Sequence, residues 1–140
     1  MKKTLLIICT LILLASCGEK NGGKTELTLE QKLCTEWHST SLPVDGDIYI
    51  SFSEDKTFEL YQQIGQGAHR LYRGTWNLEE TLLTGKYNDG EAWAAAYEII
   101  INDKQLTMTS VNDAAEESMF VRKDIPQEVI QTCETVVKSH

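Results

Sequence analysis

The side chains able to do chemistry are few and far apart. His38, His69 and His140 are scattered along the chain. Cys34 and His38 stand at i and i+4, a spacing that suits metal ligation from one helix face. No second Cys or His pair accompanies them, so no metal site is expected. The serines lack the strand–turn–helix setting of an activated nucleophile. Gly65, Gly67, Gly85 and Gly90 read as turn or close-packing residues, not as a phosphate loop. Glu79-Glu80 and Glu116-Glu117 sit at turn signals, and adjacent strand residues point to opposite faces, so neither pair can work as acid and base. Glu98 lies in an apolar stretch and is read as an outer-face acid; buried, it would have a raised pKa. Arg70 and Arg73 are read as strand-rim residues, with an anionic headgroup as the other use. No catalytic residue and no cofactor follow from these patterns. The remaining candidates are aromatic: Tyr72, Trp76, Trp93 and Tyr97. With Ala95 leaving room between two of them, they can wall a pocket for a small hydrophobic ligand. The same four side chains can equally fill a solid core.

Composition narrows the classes further. The 140 residues carry 13 Lys and Arg against 21 Asp and Glu, a net charge of -8. That length suits one domain. The acid excess excludes nucleic acid as a main partner, because phosphate binding needs clustered cations. A hydrophobic fraction of 41% supports a packed core. Two prolines and nine glycines exclude collagen-like and Pro-rich chains.

The first sixteen residues read as an address. Lys2 and Lys3 precede an apolar run over residues 5–15, interrupted only by Thr10. Such a run is shorter than the roughly 20 residues that cross a bilayer and matches a secretory signal. It ends in Leu14-Ala15-Ser16-Cys17-Gly18, which resembles the lipobox of bacterial lipoproteins. The resemblance implies cleavage before Cys17 and acylation of Cys17, including palmitate-type chains, so that the membrane is a partner through a lipid anchor. Residues 1–16 are then a signal peptide, 17–27 a lipidated tether and 28–140 the folded domain. Gly18 rather than Asp after the modified cysteine points to the outer membrane of the cell envelope. With Cys9 removed and Cys17 modified, Cys34 and Cys133 remain. In an oxidising compartment the pair suggests a disulfide joining the two ends of the domain; two buried thiols that never meet are the alternative.

Positioning these residues falls to short strands. A brief helix is expected over residues 29–34, starting near Thr28. From Glu36 the apolar period changes to two. Turn signals recur about every ten residues and separate eight segments: 37–42, 48–52, 58–61, 71–76, 82–87, 93–101, 106–109 and 119–121. Ile48, Ile50 and Phe52 share a face, as do Tyr72, Gly74, Trp76 and Leu78, and Trp93, Ala95, Tyr97, Ile99 and Ile101. The expected fold is all-β, an antiparallel meander closing into a roughly eight-stranded barrel. A last helix is expected over residues 126–137, with Val129, Ile130, Cys133, Val136 and Val137 in one stripe. It is expected to pack outside the barrel, over the strand at 93–101, bringing Cys133 near Cys34.

Arg73-Gly74-Thr75-Trp76-Asn77-Leu78, Leu82-Leu83-Thr84-Gly85 and Leu106-Thr107-Met108-Thr109, together with Trp37 and Asp55-Lys56-Thr57-Phe58, resemble the lipocalin-like domains of small bacterial lipoproteins. Where lipocalins carry Gly-x-Trp this chain has Cys34-Thr35-Glu36-Trp37, which fits calycin-like barrels more broadly. The resemblance implies a barrel with capacity for an apolar ligand. Two functions follow: an envelope lipoprotein binding a small hydrophobic ligand, or a non-catalytic interaction module with a filled barrel and an envelope protein as partner. For the second, Tyr49, Tyr61 and Leu71, on the outer faces, are the contact candidates.

Overall fold

The computed structural model describes residues 26–136; the signal, Cys9, Cys17 and most of the tether lie outside the described residues. Thr28 starts the first element. Its hydroxyl accepts from the Gln31 amide at 3.1 Å, and the Gln31 side chain accepts from the Thr28 amide at 2.9 Å. This reciprocal cap fixes the one-and-a-half turns of α1, Leu29–Leu33. Cys34 ends the helix, and Leu33 is driven into the core.

Eight antiparallel strands follow: β1 Glu36–Ser41, β2 Gly46–Phe52, β3 Thr57–Ile64, β4 Arg70–Glu79, β5 Leu82–Tyr87, β6 Tyr97–Asn102, β7 Gln105–Ser110 and β8 Glu117–Arg122. Each pairs with the next, and β8 returns to β1, so the sheet closes on itself. Closure removes the exposed edges that an open sheet of this size would present. The expected eight-stranded barrel is what forms, and the period-two faces hold. Phe52, Phe58, Trp76, Leu83, Ile99, Leu106 and Phe120 all point inward and are buried.

The two ends of the barrel differ. At one end the hairpins are tight, with Glu80 and Asp103 in left-handed backbone at the β4–β5 and β6–β7 turns. There α1 plugs the barrel. The Trp37 indole donates to the Leu33 carbonyl at 3.0 Å, and the Arg122 guanidinium lies over the Trp37 ring at 5.5 Å. Lys56 reaches Glu30 at 2.9 Å and covers Trp76. At the other end lie the longer connections, around residues 42–45, 65–69, 88–96 and 111–116.

Two boundaries depart from the sequence reading. The strand expected over residues 93–101 begins only at Tyr97. Before it, the chain doubles back along β5, with a bridge from Lys86 to Ala92 and the Trp93 amide donating to the Gly85 carbonyl at 2.9 Å. Alternation persisted in the sequence because Trp93 still enters the barrel, but from a loop. The last helix, α2, is Gln127–Thr132 and not 126–137. Cys133 turns extended, and β9, Glu134–Thr135, pairs in parallel with Arg70 and Leu71 of β4. β5 stops opposite Gly74, so this stretch of β4 has an open edge. Backbone partners on that edge, together with the β-branched Thr135 and Val136, favour strand over helix.

The helix also lies elsewhere than expected. It covers β2, β3 and β4, where Tyr49, Tyr61, Leu71 and Ile125 form a second cluster with Val129 and Cys133 packed on it. The outer face of β6 is bare, and Ile100 is 66% exposed. Two corrections follow. Tyr49, Tyr61 and Leu71 are buried under the C-terminal segment and present no contact surface. Cys34 and Cys133 are free thiols, and the bridge expected between them is not formed. Cys34 packs on the main core near α1, whereas Cys133 belongs to the outer cluster.

A cavity in the open half of the barrel

The inward faces of the strands fill only half of the barrel. Around the plugged end Leu33, Trp37, Phe52, Trp76 and Leu106 leave no space. Above them lies a cavity of about 180 Å³ that opens between the longer loops. Its apolar walls are Ile48 and Ile50 of β2, Leu60 of β3, Met108 of β7 and Phe120 of β8. Tyr87, Trp93, Ala94 and Tyr97 close the remaining side.

Of the four aromatic residues singled out in the sequence, the structure brings two to this cavity. Trp93 stands edge-to-face with Tyr97 at 6.1 Å in this wall and with the buried Phe58 at 5.2 Å. Tyr72 stands one step aside, with its ring 5.8 Å from Tyr87, and lines a groove outside the barrel instead. Trp76 is part of the filled half. It packs edge-on against Phe52, and its N–H donates to the Ser53 and Thr57 carbonyls at 3.2 and 2.9 Å. Parity places Tyr72, Trp76 and Tyr97 inside, and Trp93 enters from its loop; height along the barrel separates Tyr97 in the wall from Trp76 in the floor.

The sequence reading did not single out the polar part of the lining, Gln62 and Ser118. Both sit at inward positions of β3 and β8, and a period-two count that admitted polar residues would have found them. Among the described residues no Lys, Arg, His, Asp or Glu lines the cavity. Burial raises the Tyr97 phenol above its ordinary value, with Glu116 nearby adding to the rise, so the hydroxyl remains a donor. The Trp93 indole N–H is buried and finds no acceptor among the described residues. Larger grooves of about 280 and 310 Å³ flank β4 and β5 outside the barrel. The first is crossed by paired backbone, with Asn88 donating to the Arg73 carbonyl and Val136 to that of Leu71, both at 3.0 Å.

His38 and His69, far apart in sequence, meet on the outer face, while His140 lies outside the described residues. Asp47 Oδ1 lies 2.7 Å from His38 Nε2, and Asp47 Oδ2 lies 2.8 Å from His69 Nε2. Both contacts require the Nε2–H tautomer when the rings are neutral. Tyr49 stacks on His38 at 4.1 Å. Burial works to raise the Asp47 carboxyl, but the two imidazole hydrogen bonds outweigh it and hold the group below its ordinary value. The cluster clamps β1, β2 and the loop before β4. Cys34 caps α1 and His38 lies in a strand, so the helical i, i+4 geometry for metal does not arise. Arg73 pairs with Glu59 at 2.8 Å on the exposed face, and Glu98 is exposed and accepts from Thr81.

A closed antiparallel barrel, plugged by a short helix at one end and hollow at the other, defines the calycin-like class. The family description "Lipocalin-like domain" matches residues 19–108, and the chain belongs to this lipocalin-like domain family. No curated protein matches the chain. Among solved structures, the NMR structure of a protein from Bacteroides uniformis ATCC 8492 is similar, at 20% identity and a TM-score of 0.53. The match covers 69% of this chain and 93% of that one, and it supports the fold alone.

Proposed function

We propose that this protein is a membrane-anchored lipoprotein of the cell envelope, held by acylated Cys17 at the outer membrane, whose barrel binds one small hydrophobic molecule. The observation that carries the binding reading is the division of the barrel into a filled half and an apolar cavity of about 180 Å³. An apolar site of roughly 150 Å³ is known to take benzene, so this volume suits one or two rings and not an extended acyl chain. Exposed Val44, Ile64 and Val111 stand in or beside the loops around the mouth and give an apolar molecule a first contact. Non-catalytic binding is the reading that fits a lining without acid, base or nucleophile pairs. The rival interaction module has lost its named contact residues to the C-terminal segment.

Titration of the full chain with naphthalene, followed by tryptophan quenching, should saturate. Ala94→Trp, placed at the mouth, should abolish saturation without changing the thermal transition. A linear, non-saturating response would overturn the binding reading. Metabolic labelling with a palmitate analogue should mark the chain and fail on Cys17→Ser. Equal labelling of both would overturn the anchor.

A further inference from the structure

The ligand's chemistry can be read from the polar lining, on the premise that the cavity is a binding site. Three side chains there, Gln62, Tyr97 and Ser118, make no hydrogen bond to the described protein, yet none of their polar atoms is sealed away. Each of the three can donate a hydrogen bond, Gln62 through its amide N–H groups and Tyr97 and Ser118 through their hydroxyls, whereas the Trp93 N–H is buried. A ligand that displaces water from these groups must replace its hydrogen bonds, and a filled core would have used apolar residues at these inward positions. Among the described residues the lining holds no cation to neutralise an anion, and Glu116 acts on Tyr97 with a negative field. An ionised carboxylate brought to this site would lose water and gain no counter-charge.

We infer that the cavity takes an uncharged molecule of one or two rings that carries a hydrogen-bond acceptor, a carbonyl above all, met by Tyr97, Gln62 and Ser118 against the Trp93 wall. Fatty acids and other apolar anions are selected against. The specificity is of the kind in which a site built to pair with one polar group rejects the analogue without it.

Three probes of one shape test this on the full chain: naphthalene, 2-acetylnaphthalene and 2-naphthoate, with affinity read by tryptophan quenching. The ketone should bind about tenfold more tightly than naphthalene, and the carboxylate about tenfold more weakly than the ketone. Tyr97→Phe combined with Gln62→Leu should bring the ketone down to naphthalene while naphthalene itself still binds, which shows that the variant is folded. Equal binding of ketone and naphthalene, or a carboxylate as tight as the ketone, overturns the inference and leaves the cavity a hydrophobic site. Failure of all three probes to saturate overturns the binding reading beneath it.

Discussion

Trp93 rests directly on Gly85. A Cβ built at Gly85 would meet the indole carbons at 2.3 to 2.6 Å, and the Trp93 amide donates to the Gly85 carbonyl. The missing side chain of one residue is therefore the seat of the other. Gly85→Ala should push the indole off this seat, cost about 1–3 kcal/mol by overpacking, and weaken naphthalene binding. Chemical denaturation and quenching titration check the two effects. Gly74→Ala should be worse, because its Cβ would meet the Lys86 carbonyl oxygen at 1.9 Å, and a backbone atom cannot rotate away.

Trp37 ties the plug to the barrel. It is fully buried, donates to Leu33 and carries Arg122 on its ring. Trp37→Ala should cost about 3–5 kcal/mol, and Trp37→Phe about 1 kcal/mol from the lost hydrogen bond alone. Urea unfolding monitored by circular dichroism gives both values.

The clamp at Asp47 sets the acid limit. Its carboxyl is held below the ordinary value of 3.8. A depressed carboxyl contributes stability above the unfolded-state value, and this contribution is lost as pH falls through the folded-state value. Asp47→Asn should therefore lower the melting temperature at neutral pH and shrink that deficit in strong acid, below pH 3.8. A deficit that stays constant across that range would contradict the assignment.

The alkaline limit falls on Tyr61, under α2. Burial, with Glu59 beside it, pushes the phenol up to about 12 from 10.0. A raised group contributes stability that is full below the unfolded-state value and is lost as pH rises through the folded-state value. Stability should fall between pH 10 and about 12, with a late phenolate absorbance step, and Tyr61→Phe should remove the part due to this group.

The thiols should behave as separate groups. Burial, with Glu30 and Glu54 nearby, raises the Cys34 thiol, so its alkylation should be slower than that of a free thiol. Peptide mapping after labelling of the native chain should find both Cys34 and Cys133 modified, with no linked peptide. The double serine variant should retain the native transition within about 1 kcal/mol.

The inside and outside of the barrel were legible because a strand has a period of two, and Ile48, Ile50 and Phe52 or Tyr72, Gly74 and Trp76 can be assigned without knowing their neighbours. Height along the barrel was not legible. It depends on strand stagger, and stagger separated Tyr97 in the wall from Trp76 in the floor, while Trp93 reached the wall from a loop. Partners across strands were equally hidden: His38, Asp47 and His69 meet only once β1 and β2 are in register and the loop before β4 folds over. The helix end failed for a similar reason. Nothing near Cys133 announces that β4 has an open edge waiting beside it.

The cap at Thr28 places the chain's entry beneath the plug, while β9 rides beside the loops at the far end. On the proposed anchoring, the leash would join the barrel at its base, and the mouth would look out into the aqueous compartment. Cargo would then be exchanged with water-borne donors and acceptors, not drawn sideways from the lipid leaflet.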